Sequence, residues 1–286
     1  MNKTYRIAEL TLRLAAPHFR FAGLVPFEVD PATVEEPNFE LHFDEAVATP
    51  THDAKPIDTF DFPDANAICR LYATQGGHLF QMRVETGVDV RFYIPERGIA
   101  TCNYRPEEDR SLFRFGLWMA FNLRAARHGV LAIHSSVLIH DGGAVLCLGE
   151  SGTGKSTHTR LWRENIAGTE LLNDDSPFIR ITEGEARVYG SPWSGKTPCY
   201  RNLNYPIRGF IRLSQGPANV IRTLSTLAAY GALQPSMPPS FIHDAELFEY
   251  ENRLLSELLR RVKVFHLSCL PNAEAAELAR NTLYNA

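Results

Sequence analysis

One stretch of the chain has the glycine, lysine and hydroxyl spacing that binds phosphate groups. Residues 149–156 read GESGTGKS, which matches the P-loop (Walker A) pattern G-x-x-x-x-G-K-[ST]. Glycines let such a loop adopt conformations that are barred to other residues, so that successive N–H groups point at one anion. We therefore expect Lys155 to contact the outer phosphates of a nucleotide and the Ser156 hydroxyl to bind Mg²⁺. The residues predicted to bind the phosphates are Gly149, Glu150, Ser151, Gly152, Thr153, Gly154, Lys155, Ser156 and Thr157.

The segments on either side of this loop are those that a phosphate site needs. Residues 144–148 are apolar and favour a strand, and residues 155–165 favour a helix that Gly168 can end. The amino end of that helix would direct its positive dipole at a bound phosphate. An incidental glycine-rich turn is the alternative, and the strand–loop–helix order favours the phosphate site.

A pair of acidic residues follows soon after the loop. Residues 171–175 read LLNDD, a short apolar strand that ends in Asp174 and Asp175. A strand–helix–strand unit would bring this end back toward the phosphate loop. One carboxylate can hold Mg²⁺ and the other can accept a proton from an attacking hydroxyl. Adjacent strand residues point to opposite faces, so one of the two is expected to do most of the metal binding. The alternative is a surface turn that continues into Ser176 and Pro177.

Two weaker candidates flank these motifs. His134 lies in the otherwise apolar stretch 130–139, where it is either a core residue or a functional one. Residues 190–197 read GSPWSGKT, a loop with one lysine, Lys196, and Arg201 follows it. Such a loop is either an ordinary surface loop or a mobile lid over the phosphates.

The order of these features resembles a known family. A histidine, a P-loop, an Asp-Asp pair and a later lysine loop occur in this order in the catalytic domain of HPr kinase/phosphorylase. That domain shares its nucleotide-binding fold with ATP-dependent phosphoenolpyruvate carboxykinase, and residues 151–157 look more like the carboxykinase form of the loop. Residues 173–175 and 191–196 resemble a bacterial branch of HPr-kinase-like proteins. The resemblance covers roughly residues 130–286.

The resemblance implies a Mg²⁺-dependent, ATP-binding kinase. Lys155 would bind the β-phosphate, and Ser156 and Asp175 would hold Mg²⁺. Asp174 would act as the acid/base that activates the acceptor hydroxyl, aided by His134. The catalytic set is therefore Asp174, His134 and Lys155, with Lys196 as a further nucleotide contact. The cofactors are ATP and Mg²⁺.

The acceptor of the phosphoryl group is left open by the sequence. Residues 200–213, where the family carries its signature for the protein substrate, show only an Ile-Arg-Gly match at 207–209. The acceptor is therefore a protein serine or a small molecule, and the family resemblance also admits a homo-oligomer. Two other classes remain: a nucleotide-binding sensor or assembly module without catalysis, and a carboxykinase-type lyase.

Composition excludes several other classes of protein. The 286 residues include 29 Lys+Arg and 33 Asp+Glu, a formal charge of −4 without the basic excess of a nucleic-acid-binding protein. No apolar run approaches the roughly 18 residues of a membrane span, and the start lacks the apolar segment of a secretory signal. The five cysteines are scattered and form no CxxC pair, which favours a reduced, cytoplasmic protein.

Patterning divides the chain into two regions of different character. Residues 1–110 look β-rich, with apolar/polar alternation typical of strands at 5–14, 39–43, 79–84 and 88–93. From residue 111 onward, strand and helix patterns mix, and this second region, 111–286, is predicted to be the nucleotide-binding domain. The predicted helices span residues 112–128, 155–165, 245–262 and 273–284, and the predicted strands include 130–139, 144–148 and 263–267. We expect an α/β fold (an α+β mixed sheet) of the phosphoenolpyruvate-carboxykinase-like P-loop type, with a β-rich N-terminal part.

Overall fold

A computed structural model describes residues 2–150, 152–195 and 197–284. The fold is mixed α/β, and the chain forms two compact units. Unit 1 comprises Met1–His128 and Ser240–Tyr250, and unit 2 comprises Gly129–Pro239 and Glu251–Ala286. The division after His128 places the helix 110–125 in unit 1, whereas the sequence led us to expect a boundary near residue 110, in front of this helix.

Unit 1 is built on one nine-stranded sheet. Its strands are β1 (Lys3–Ile7), β2 (Leu10–Leu14), β3 (Glu28–Val29), β4 (Phe39–Phe43), β5 (Asp58–Phe62), β6 (Ala67–Thr74), β7 (Gly77–Val84), β8 (Asp89–Pro95) and β9 (Ala100–Cys102). They lie in the order β3-β1-β2-β4-β9-β8-β7-β6-β5. The alternating stretch 5–14 is a hairpin rather than one strand, because Ala8 and Glu9 turn the chain with φ of 49° and 65°. All nine strands lie within residues 1–110, the region in which the sequence predicts β-rich structure.

One helix packs on the sheet of unit 1. Helix α1 (Arg110–Ala125) is capped at its amino end by Asp109, whose carboxylate accepts a hydrogen bond from the Ser111 N–H. Gly116 lets helix α1 approach strand β8 closely, since a Cβ at this position would lie 2.1 Å from the Phe92 ring on that strand. Beyond α1, Gly129 takes a φ of 67°, the left-handed conformation that glycine commonly adopts after the end of a helix.

Unit 2 is built on a second nine-stranded sheet. Its strands are β10 (Val130–Ala132), β11 (Ser135–His140), β12 (Gly143–Leu148), β13 (Glu170–Asp175), β14 (Phe178–Thr182), β15 (Glu185–Tyr189), β16 (Asn204–Gln215), β17 (Val220–Thr223) and β18 (Val264–Cys269). The order is β10-β14-β15-β16-β12-β11-β13, and β18 pairs with both β16 and β17. The predicted strand 130–139 is therefore two strands. They are separated because Ile133 and His134 donate their N–H groups to Pro177 and Ser236 instead of to the sheet.

The strand directions bring four carboxyl ends to one edge of the second sheet. Strands β12, β16 and β18 run parallel to one another. Strands β12 and β13 both pair antiparallel with β11, so they too run in the same direction, with β11 between them. The expected return of residues 171–175 toward the phosphate loop is thus observed, although the two strands are not neighbours.

The helices at residues 155–165 and 273–284 of unit 2 pack on one face of this sheet. Helix α2 (Lys155–Asn165) has the predicted bounds, and α3 (Thr226–Leu233), α4 (Ala245–Leu259) and α5 (Ala273–Tyr284) follow. Helix α4 begins in unit 1 and ends in unit 2. Side chains from α2, α5 and the covered sheet face form one apolar cluster: Leu138, Val145, Cys147, Leu161, Trp162, Ile166, Leu171, Ile211, Leu213, Leu267, Ala276 and Ala279. No helix within the described ranges combines the length and apolarity that crossing a membrane requires.

Candidate active site

The phosphate loop joins the carboxyl end of β12 to the amino end of α2, as the sequence predicts. Gly154 stands directly before the helix with a φ of 102°, a conformation that side chains other than glycine rarely adopt. A Cβ on Gly149 would lie 2.3 Å from the Thr153 hydroxyl oxygen. That hydroxyl donates to the Glu150 carbonyl at 2.8 Å and holds the loop curved. Ser151, a predicted phosphate contact, lies outside the described residues.

Lys155 is half-buried in the curve of this loop. Its Nζ donates to the Gly149 carbonyl at 2.5 Å and to the Glu150 carbonyl at 3.3 Å. Burial lowers the pKa of Lys155, and the carboxylates of Asp175 and Asp174 act against that shift. The predicted lysine and the predicted acids therefore lie within electrostatic range of one another.

Asp174 is the buried member of the acidic pair. It is 8% exposed, and the Ser136 hydroxyl donates to its Oδ1 at 2.5 Å. In the sheet, Ser136 pairs with Cys147 of β12 on one side and with Asp174 on the other. Since neighbouring strands lie about 4.8 Å apart, β12 and β13 are about 10 Å apart at this level. The chain of three phosphates of a nucleoside triphosphate held by the loop can span much of that distance.

Asp175 is more exposed and has a strained backbone. Its φ of 138° is unusual for a residue with a side chain, and such strain is often found at functional sites. Its Oδ1 lies 3.2 Å from Nδ1 of His134, and both side chains are about half exposed, at 40% and 50%. The structure thus places His134 beside the acids and not in the apolar core. This position lets the imidazole orient the Asp175 carboxylate.

The loop 190–199 is hydrogen-bonded to the backbone of the acidic pair. The Gly195 N–H donates to the Asp174 carbonyl at 2.5 Å, and Ser194 forms an isolated bridge with Asp175. Lys196, the predicted nucleotide contact of this loop, lies outside the described residues. Arg201 pairs with Glu170, at the opposite end of β13 from the acids, so it is not part of this site.

Asn173 positions the acidic pair, although the sequence analysis gave it no role of its own. It is fully buried, and its Oδ1 accepts from the Ser176 N–H at 3.0 Å. Its Nδ2 donates to the Trp193 carbonyl at 3.0 Å and lies 3.3 Å from the Ser191 hydroxyl. It therefore ties the acidic pair to the loop 190–199. The sequence feature that could have pointed to Asn173 is an amide side chain in an apolar strand, immediately before two acids.

The acids and the loop suit a cation held jointly with phosphates. Within residues 2–150, 152–195 and 197–284, no cluster of three or more His, Cys, Asp or Glu side chains could hold a metal. Mg²⁺ rarely needs such a cluster, because one or two carboxylates together with substrate phosphates and water complete its shell. The half-exposed Asp175 carboxylate and the exposed Ser156 at the start of α2 fit this mode of binding.

Comparison with known proteins adds a weak likeness. No protein-family model matches the sequence, and no curated protein matches it. One solved structure similar to this chain is the HPr(Ser) kinase/phosphatase from Coxiella burnetii, with 14% sequence identity and a TM-score of 0.32. The match covers 54% of this chain and 94% of that one. A likeness with so low a TM-score establishes neither a common fold nor a common function.

Proposed function

We propose that this protein is a Mg²⁺-dependent, ATP-binding phosphotransferase of the HPr kinase-like type, with a phosphoenolpyruvate-carboxykinase-like P-loop fold. It transfers the γ-phosphoryl group to a hydroxyl of a protein serine or a small molecule. The observation that carries the proposal is the convergence of Lys155, Asp174 and Asp175 at one edge of the second sheet. A phosphate loop without acids would only bind a nucleotide, whereas these carboxylates add a base and a metal ligand.

Each residue has a distinct role in the proposed transfer. The N–H groups of the loop and the Lys155 ammonium bind the phosphates and neutralise the charge that develops on them. Ser156 and Asp175 would hold Mg²⁺, which supplies further positive charge when bound. Asp174 accepts the proton of the acceptor hydroxyl, and the hydroxyl oxygen forms a bond to the γ-phosphorus. The bond between the γ-phosphorus and the bridging β-phosphate oxygen breaks, and ADP leaves. The Ser136 hydroxyl fixes the orientation of the Asp174 carboxylate.

Calorimetric titration of the full chain with ATP and Mg²⁺ tests the nucleotide site. Lys155→Ala is expected to weaken ATP binding at least about ten-fold, the effect of removing one charged hydrogen bond. Lys55→Ala, which removes an exposed lysine from unit 1, is the matched control and should leave the Kd unchanged. Absence of ATP binding to the wild type at millimolar concentration refutes the proposal.

Measuring the consumption of ATP distinguishes a kinase from the two alternative functions, a nucleotide-binding sensor and a carboxykinase-type lyase. ADP release is followed with panels of serine peptides and small hydroxyl compounds, and Asp174→Asn should bind ATP but lose transfer. Asp141→Asn is the control, because this residue lies in an exposed turn with a φ of 45°, which asparagine tolerates. ATP binding without consumption would identify a sensor. Activity that requires oxaloacetate and Mn²⁺ would identify a carboxykinase-type lyase.

A further inference from the structure

The phosphate loop has different neighbours on its two sides. Strands β11 and β13 lie on one side, with the acids on β13, and strands β16 and β18 lie on the other. If the γ-phosphate faces Asp174, the remainder of the nucleotide must extend toward β16 and β18. The carboxyl ends of these strands reach the same edge as the loop.

Three nitrogen-rich side chains form one row across β16, β18 and β17. Arg212 pairs in register with His266, and His266 pairs with Arg222. Residues paired in this way point to the same face of the sheet. The next residues along the strands, among them Leu213 and Leu267, point to the face that α2 and α5 cover. The row therefore lies on the opposite face of the sheet.

A cavity of about 480 Å³ joins this row to the phosphate loop. Its lining residues are Glu150, Gly152, Thr153, Arg212, Leu213, Ser214, Gln215 and His266. The Gln215 amide donates to the Gly152 carbonyl at 3.3 Å, and the Arg212 guanidinium lies 3.4 Å from the Glu150 carboxylate. The cavity is thus continuous with the loop that binds the phosphates.

The lining groups suit a flat, polar and uncharged partner. A guanidinium plane stacks on a nucleobase and also donates hydrogen bonds. Burial, with smaller contributions from Arg222 and Arg212, lowers the pKa of His266, which favours the neutral form of its ring. This ring lies 3.0 Å from the Ser214 hydroxyl, and the Gln215 amide adds a donor and an acceptor for base edges or ribose hydroxyls.

We propose that this cavity binds the nucleoside, ribose and base together, of the nucleotide whose phosphates occupy the loop. The proposal rests on the proposed function, since it assumes a nucleotide at the loop. The phosphoryl acceptor fits this cavity less well. Strand β16 is three strand spacings from β13, about 14 Å, and an acceptor placed there would lie far from Asp174.

Comparing ATP with inorganic tripolyphosphate tests this assignment, because the two ligands share the phosphates and differ in the nucleoside. Affinities of the full chain are measured by calorimetry with Mg²⁺ for the wild type, Arg212→Ala and His266→Ala. Each variant is expected to weaken ATP binding about ten-fold and tripolyphosphate binding less than about two-fold. Arg222→Ala is the matched control: it removes the same charge from the same row, one strand beyond the cavity lining, and should leave both affinities unchanged.

The outcomes distinguish the nucleoside site from the phosphate site. Equal weakening of ATP and tripolyphosphate by Arg212→Ala would mean that the cavity binds phosphate, and would overturn the proposal. Unchanged ATP affinity in both variants also overturns it, while the phosphate loop and the proposed function stand. If neither ligand binds the wild type, the proposed function fails and this site fails with it. Thermal melts confirm that the variants fold.

Discussion

Replacing Asn173 tests how strongly the acidic pair is tied to the loop behind it. Asn173→Ala removes the acceptor of the Ser176 N–H and the donor to the Trp193 carbonyl, both at 3.0 Å. The Trp193 carbonyl keeps a second donor, the Ser191 hydroxyl at 2.8 Å, whereas the Ser176 N–H lies at a buried residue. Loss of a hydrogen bond at a buried group costs about 1–3 kcal/mol, and a lost bond that is partly compensated costs about 1 kcal/mol.

We therefore expect Asn173→Ala to lower the free energy of unfolding by about 2–4 kcal/mol. Urea unfolding followed by circular dichroism gives this value, and the exposed Asn202→Ala is the control, expected to change it by less than about 0.5 kcal/mol. A loss in Asn173→Ala no larger than in this control would refute the reasoning, because the amide would then not hold the loop.

Asn173→Asp separates the two halves of this interaction. The carboxylate keeps an acceptor for the Ser176 N–H but places a buried charge against the carbonyl oxygen of Trp193. We expect this variant to be at least as unstable as Asn173→Ala at pH 8 and to recover stability at low pH, where the carboxyl group is protonated. Equal losses at both values of pH would contradict the assignment of donor and acceptor.

Two further predictions concern Ser136 and Glu251. Ser136→Ala removes the hydrogen bond to Asp174. We expect it to lower the initial rate of phosphoryl transfer about ten-fold and to leave the ATP affinity measured by calorimetry unchanged. A changed affinity with an unchanged rate would contradict the role given to this hydroxyl. Glu251 is fully buried, and burial raises its pKa to about 7. The contribution of this carboxyl group to the free energy of unfolding is therefore complete below the ordinary carboxyl pKa and is lost as the pH rises through about 7. In urea unfolding at pH 5 and pH 8, Glu251→Gln should gain stability relative to the wild type at the higher pH, by up to about 3 kcal/mol; an equal difference at both values would exclude a raised pKa.

Local patterns in the sequence predicted the local parts of the site. Helix α2 begins and ends where expected, because the lysine after Gly154 and the glycine-rich loop mark its start. The hairpin at Ala8 and Glu9 was not anticipated, since neither residue type favours positive φ. The break at His134 depends on hydrogen bonds to distant segments, which no local pattern reveals.

Pairing between distant strands explains what the sequence could not show. Arg212 and His266 come together only because β16 and β18 are neighbours in the sheet, and nothing in either strand specifies its partner. The insertion of β11 between β12 and β13 is equally non-local, and it gives Ser136 its contact with Asp174. Both cases add residues to the sites without altering the motifs that the sequence revealed.

The position of β11 between β12 and β13 also determines where this chain can tolerate insertions. Strand β11 sets the register of both β12, which leads into the phosphate loop, and β13, which carries the acids. One residue added inside β11 would therefore shift β12 relative to β13 by about 3.3 Å. It would also reverse the faces to which the β11 side chains point beyond the insertion. The turn at Asp141 and Gly142 lies at the far end of β11 from the acids, where extra residues would extend into solvent. Changes in length at this turn are therefore compatible with an intact site, whereas changes inside β11 are not.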